Sequence, residues 1–182
     1  MGKIVISENV SLDGLADGQR LFDWVGQIKG EAAKVLLDEA LGTEALLLGR
    51  RSYEFFAARW PSRSGEYADR LNSMPKYIVS STLERPAWRN ASVLPGGVLA
   101  EVSKLRRELT GDIVVYGSIQ LVHTLLEHEL VDELRLMIYP VVLGAGGRLF
   151  GATSDKKAMR LVEAQTVGDG LALLTYQRAQ NA

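Results

Sequence analysis

Cysteine is absent from the 182-residue chain, which excludes disulfides, thiolate zinc sites and cysteine nucleophiles together. Histidine is scarce: His123 and His128 are the only two. They stand five apart, so a helix carries them on different faces, and a surface role is the expectation for both. Neither sign of charge prevails, with 21 Lys and Arg against 22 Asp and Glu. So balanced a chain projects no basic field toward nucleic acid or an anionic membrane. No apolar run approaches the roughly 20 residues that span a bilayer. The N-terminus enters a strand pattern at once, without the charged, apolar and cleavable regions of a leader. These absences predict a cytoplasmic protein with no membrane or nucleic-acid partner. A P-loop sequence is also missing. Gly144-Ala145-Gly146-Gly147 does not complete a dinucleotide fingerprint, because no glycine stands three after Gly146 and Leu149-Phe150 do not open a helix. With no repeat, linker or low-complexity segment, residues 1–182 read as one domain. At 47% hydrophobic content it has the material for a sizeable core.

What is present alternates between strand and helix patterns. Residues 3–10 (KIVISENV) read as a strand, and Ser11-Leu12-Asp13-Gly14 as the turn that leaves it. Residues 16–27 are irregular and hold Phe22, Asp23 and Trp24. Residues 31–41 repeat Ala32, Val35, Leu36 and Ala40 at helical spacing, and Gly42 ends that helix. Residues 44–48 (EALLL) form a buried strand closed by Gly49, and a helix runs from Arg50 to Trp60-Pro61. A short surface helix is expected over 64–71, strands over 76–79 and 91–94, and a helix over 98–109. Ile113-Val114-Val115-Tyr116 has the continuous apolar character of a strand covered on both faces. Gly117 breaks it, and Ser118 is positioned as an N-cap. Ile119, Val122, Leu125 and Leu126 stripe the helix that follows. A strand over 134–143, interrupted by Pro140, leads to a turn at 144–147. Residues 158–166 and 171–178 form a hairpin around Gly168-Asp169-Gly170. The predicted fold is α/β in three layers: a mixed, mainly parallel sheet flanked by helices, with an antiparallel C-terminal hairpin.

Three strand ends carry the polar groups that point to function. They are Gly49-Arg50-Arg51-Ser52, Ser80-Ser81-Thr82 and Gly117-Ser118-Ile119-Gln120. Open α/β sheets bind ligands outside the carboxyl ends of their strands, so these segments converge if their strands are neighbours. Backbone N–H groups at the Gly117 turn, at the positive end of a helix dipole, make a seat for phosphate. Two arginines at a helix start are unfavourable to the helix, a cost that an anionic ligand between them offsets; the alternative is that both are solvated or paired with nearby acids. Three hydroxyls in a row supply donors for a phosphate or ribose, and taken alone they equally make an ordinary turn. Together they suit a ligand with a pyrophosphate and a separate monophosphate, the layout of NADP. Asp13 and Asp23 are the candidate acids near the first strand.

The segments SLDG (11–14), LLLGRRSYE (46–54), KYIVSSTL (76–83), DIVVYGS (112–118) and LVDELRLMIYPVVLGAGGRLF (130–150) occur in an order that resembles the dihydrofolate reductase-like superfamily. More closely, they resemble the C-terminal reductase domain of the bifunctional riboflavin-biosynthesis deaminase-reductase and its free-standing relatives. The resemblance runs from Ile4 to about Tyr176. It implies NADPH as hydride donor, a small-molecule substrate and a homodimer. It implies cofactor contacts at Leu12, Gly14, Gly49, Arg50, Arg51, Ser52, Ser80, Ser81, Thr82, Gly117, Ser118, Ile119 and Gln120. Asp13 and Asp23 stand as candidate catalytic acids, and Trp24, Tyr53, Trp60 and Phe150 as candidate substrate contacts. The family's zinc deaminase ligands have no counterpart here. The expected chemistry is hydride transfer to a C=N or C=O bond of a small heterocycle or ribosylamino-pyrimidine. Authentic dihydrofolate reduction and a non-catalytic nucleotide-binding dimer are the alternatives.

Overall fold

The computed structural model describes residues 1–16, 20, 21 and 30–179. Strands β1 (Lys3–Ser11), β2 (Thr43–Gly49), β3 (Lys76–Val79), β4 (Ala91–Val93), β5 (Asp112–Val115), β6 (Glu133–Tyr139), β7 (Met159–Val167) and β8 (Leu171–Arg178) form one eight-stranded sheet. Its order is β4-β3-β2-β5-β1-β6-β8-β7. The pairs from β4 across to β6 are parallel, while β8 runs antiparallel to both β6 and β7. Helices α1 (Glu31–Gly42), α2 (Arg50–Ala57), α3 (Glu66–Ser73), α4 (Val98–Glu108) and α5 (Ile119–Glu127) cover its two faces. This is the mixed, mainly parallel three-layer fold that the sequence predicts.

The alternation of side chains along β1 explains the two layers. Ile4, Ile6 and Val10 point to the face packed by Val102 and Leu105 of α4 and by Val122 and Leu125 of α5. Val5 points to the opposite face, with Leu46, Leu48, Val114 and Ile78 against Ala40, Tyr53 and Leu71 of α1, α2 and α3. Ile113, Val114 and Val115 are all 0% exposed, because β5 lies between β2 and β1 with helices on both sides. Each such side chain contributes about 1.5–3 kcal/mol of burial, so the apolar runs fix which strands lie centrally.

Several boundaries differ from the expectation; the helix expected from Arg50 to Trp60-Pro61, for one, stops at Ala57. The strand predicted over 134–143 stops at Tyr139. Pro140 has no N–H to continue the ladder, and the Val141 amide turns back onto the Tyr139 carbonyl at 2.8 Å. The released segment then reaches across to the loop after β1, where Leu12 N–H donates to Val141 O at 2.9 Å. The short surface helix begins two residues later than expected, at Glu66. Among the described residues, no helix is long and apolar enough to cross a membrane.

Candidate active site

The carboxyl ends of β2, β3 and β5 surround one cavity of about 1600 Å³. Gly49, Arg50, Arg51 and Ser52, then Ser80, Ser81 and Thr82, then Gly117, Ser118, Ile119 and Gln120 all line it. Their strands are neighbours or one apart in the sheet, which brings segments distant in sequence together. Helices α2 and α5 both begin at this cavity, and the loop of Leu94, Pro95, Gly96 and Gly97 brings the start of α4 to it as well.

The two glycine junctions interlock. Gly49 N–H donates to Ser118 Oγ at 2.9 Å, and Ser118 Oγ donates onward to the Tyr116 carbonyl at 3.0 Å. Ser118 N–H donates to Ser52 Oγ at 2.7 Å. Ser118 does occupy the N-cap position of α5, but in a left-handed conformation (φ 58, ψ 40) without a side-chain cap bond. Its hydroxyl is committed to the other junction instead. The seat for an anion shifts accordingly. The Ser118 amide is engaged, and the Gly117 amide is directed at Glu8. Among the described residues, no acceptor takes the amides of Ile119, Gln120 or Leu121. These first-turn donors at the positive end of α5 are the ones free for a phosphate.

The two arginines differ. Arg50 donates to Glu54 Oε1 at 2.7 Å and to Thr82 Oγ1 at 2.5 Å, which ties α2 to the loop after β3. Arg51 is exposed, and among the described residues its guanidinium has no ion pair. Ser80 Oγ accepts from the amides of Thr82 and Leu83 at 3.2 and 3.0 Å and so closes its own turn. Ser81 stays exposed. A cation at a helix start, spare hydroxyls and a separate set of free amides fit a nucleotide carrying a pyrophosphate and a further phosphate.

The other wall of the cavity is one that sequence reasoning missed. Ser7, Glu8 and Asn9 of β1, Glu39 of α1, Trp60, Tyr67, Tyr116 and Arg135 line it. Glu39 Oε2 accepts from Ser7 Oγ at 3.0 Å, and Glu39 Oε1 lies 4.0 Å from Arg135 Nη1. Burial raises the Glu39 carboxyl, opposed by the Ser7 hydroxyl and the Arg135 charge. Glu8 is enclosed more fully. Burial pushes its carboxyl well above the usual range, the Glu39 charge adds to that, and the Gly117 amide opposes it. Tyr116 stands near Glu39, and burial raises its hydroxyl as well. A signal for the two acids was in the sequence. Glu8 continues the inward row of Ile4 and Ile6, and Glu39 lies on the apolar stripe of Ala32, Val35, Leu36 and Ala40.

Several predicted residues lie elsewhere. Asp13 accepts from Ser11 Oγ at 2.6 Å, Leu143 N–H at 3.1 Å and Gly144 N–H at 2.8 Å. The Ser11 hydroxyl and then the Gly144 and Leu143 amides hold its carboxyl down at about 2. A carboxylate so stabilised pins the glycine turn and is a poor proton source. Leu12 is 62% exposed, and Leu12 and Gly14 belong to the same pinned loop, outside the cavity lining. Tyr53 is buried against Trp88, its hydroxyl accepting the Trp88 amide at 3.1 Å. That makes it a core residue behind the cavity wall, which Trp88 itself lines. Phe150 is exposed and also off the lining. Trp60 does line the cavity, edge-on to Tyr67 at 5.2 Å. His123 Nε2–H donates to the Leu149 carbonyl at 2.9 Å and supports that turn. Asp23 and Trp24 lie outside the described residues.

Comparison with known proteins agrees with this architecture. The RibD C-terminal domain family matches residues 2–173, and the chain belongs to that family. An uncharacterized protein of Bacillus subtilis (strain 168), YyaP, is 27% identical over 96% of this chain and 94% of its own. A Shewanella sp. PV-4 structure, described as a riboflavin biosynthesis protein, superposes with a TM-score of 0.78 at 19% identity, covering 98% of this chain and 99% of that one. Dihydrofolate reductase from Enterococcus faecalis, complexed with NADP(H), superposes at 0.65 with 13% identity, covering 98% of each chain. The fold is dihydrofolate reductase-like.

Proposed function

We propose that the protein is an NADPH-dependent reductase that transfers a hydride to a C=N or C=O bond of a small heterocycle of the ribosylamino-pyrimidine kind. The observation that carries this reading is the two-walled cavity. One wall offers the amides of Ile119, Gln120 and Leu121, the Arg51 guanidinium and the Ser81 hydroxyl, and the other offers buried acids beside aromatic rings. Membership of the RibD C-terminal domain family and the shared fold with an NADP(H)-binding reductase support it.

Bound NADPH supplies the hydride; the protein supplies position and a proton. The first turn of α5 and the start of α2 hold the phosphates at fixed backbone donors. Arg51 and Ser81 hold the extra phosphate that separates NADPH from NADH. Trp60 and Tyr67 give the substrate a flat apolar wall, and Glu39 with Arg135 gives it a charged edge. The test is loss of NADPH absorbance with ribosylamino-pyrimidines and dihydrofolate as separate acceptors. Turnover with the pyrimidines supports the reading. Turnover with dihydrofolate alone moves the protein to folate chemistry, and tight NADPH binding without turnover on either makes it a nucleotide-binding protein.

A further inference from the structure

Among the described residues, three buried side-chain polar atoms have no hydrogen-bond partner: Glu8 Oε1, Glu39 Oε1 and Tyr116 Oη. All three residues line the one cavity. Buried polar groups are almost always paired, because leaving one unpaired costs about 1–3 kcal/mol. Tyr116 Oη and Glu39 Oε1 lie near enough to act on each other, so Glu8 Oε1 is the atom left for a ligand in the cavity to partner.

The two acids are not equivalent. Glu39 has a hydroxyl at 3.0 Å and a guanidinium at 4.0 Å, and both favour its ionised form. Among the described residues Glu8 has no ion pair; its carboxyl is buried on the β1 row of Ile4 and Ile6, where the Gly117 amide reaches it and the Glu39 charge disfavours its ionised form. Two nearby acids in unequal surroundings do not ionise together, and the less supported one keeps the proton. The same Gly117 turn leads directly into the α5 amides that would hold an anion, and a negative charge there disfavours a second carboxylate further.

We propose that Glu8 is the proton donor of the reduction, with Glu39 the ionised acid that positions the substrate across the cavity. This rests on the reductase reading above. As the C=X bond of the acceptor receives the hydride, its π pair moves to X, and X takes the proton from the Glu8 carboxyl. The acceptor gains two electrons and two hydrogens, and NADPH is oxidised to NADP⁺. Solvent returns one proton to the Glu8 carboxylate.

The decisive experiment reads the carboxyl itself, without cofactor or substrate. Infrared difference spectra of wild type against Glu8→Gln and Glu39→Gln at neutral pH distinguish a protonated acid from a carboxylate. The expected result is a protonated-acid carbonyl band lost in Glu8→Gln and retained in Glu39→Gln. A neutral-pH spectrum in which Glu8→Gln loses only carboxylate bands overturns the proposal and leaves the reductase reading standing. NADPH titration of the same variants checks that reading separately; a wild type that does not bind NADPH removes both. With the acceptor that turns over, Glu8→Gln lowers kcat by on the order of 10²–10⁴-fold, and the loss of kcat with rising pH expected of wild type disappears. Wild-type kcat in Glu8→Gln contradicts the assignment even if the band is lost.

Discussion

The Gly49 amide donates to the Ser118 hydroxyl oxygen at 2.9 Å, joining two strand–glycine–helix junctions that lie 69 residues apart. Each junction thereby fixes the other, and the helix starts of α2 and α5 are held at one cavity. Ser118→Ala leaves the Gly49 N–H and the Tyr116 carbonyl without this partner, at a cost of about 1–3 kcal/mol. Ser118→Gly loses the same bonds but relieves the left-handed backbone by about 1 kcal/mol. Denaturant unfolding should therefore rank wild type above Ser118→Gly and Ser118→Ala last. Equal stability of wild type and Ser118→Ala would remove the interlock.

Gly117 is the position where a side chain is least tolerable. Its φ is +58, and an added Cβ would lie 2.7 Å from Ser52 Oγ. Gly117→Ala is expected to lose on the order of 2 kcal/mol from backbone strain and that contact, together with NADPH affinity. Adding Ser52→Ala removes the contact, so a double-mutant cycle should show partial recovery of stability. Strict additivity would mean that the two residues do not press on each other.

Lys76 is 0% exposed, and its ammonium donates to the carbonyls of Asn72, Met74 and Arg89 at 2.9–3.0 Å. It sits over the Trp88 ring at 4.3 Å. Lys76→Met keeps the stem but orphans three carbonyls. Unfolding experiments should show a loss of about 3 kcal/mol; Lys76 does not itself line the cavity, though the Trp88 ring beneath it does, so cofactor affinity per folded molecule should change far less than stability.

The acids give opposite pH signatures. Glu8 is raised in the folded state, so the folded protein holds its proton when the unfolded chain has lost it. That makes its contribution fully present below the unfolded value of about 4.3 and lost as pH rises through the folded value. Glu8→Gln should gain stability relative to wild type across that rise. Asp13 is lowered to about 2, so its contribution is present above about 3.9 and lost as pH falls through about 2. Asp13→Asn should speed hydrogen exchange at Leu143 and Gly144 at neutral pH and flatten the acid limb at those amides. Unchanged exchange with abolished turnover would instead give Asp13 a chemical role.

How much of this was legible depends on what each residue answers to. Ile113, Val114 and Val115 announce a central strand because burial on both faces leaves no room for a polar residue. Gly49 and Gly117 likewise mark sharp exits from strands. The pairing of Ser118 with Gly49 is invisible in sequence, since it depends on β2 and β5 being neighbours. Pro140 was legible as an interruption, though its effect, ending β6 at Tyr139, follows only once the ladder is known. Glu8 and Glu39 were hidden for a different reason. Each sits in a row of apolar residues where a lone acid looks like a solvated exception, and only the shared cavity gives them a common surrounding. Proximity to the first strand makes Asp13 look like a candidate acid, whereas its three hydrogen bonds commit it to the loop.

The most direct measurement is the affinity of wild type and Arg51→Ala for NADPH and NADH, by calorimetry at one salt concentration. Arg51 is an exposed cation at the start of α2 with no ion pair among the described residues, while Arg50 is already held by Glu54 and Thr82. The account predicts that wild type binds NADPH more tightly, and that Arg51→Ala weakens NADPH by roughly tenfold or more, as for loss of one charge-assisted bond of about 1.5–3 kcal/mol, with NADH little changed. Equal affinity of wild type for the two cofactors, or an equal loss of both in the variant, would contradict it.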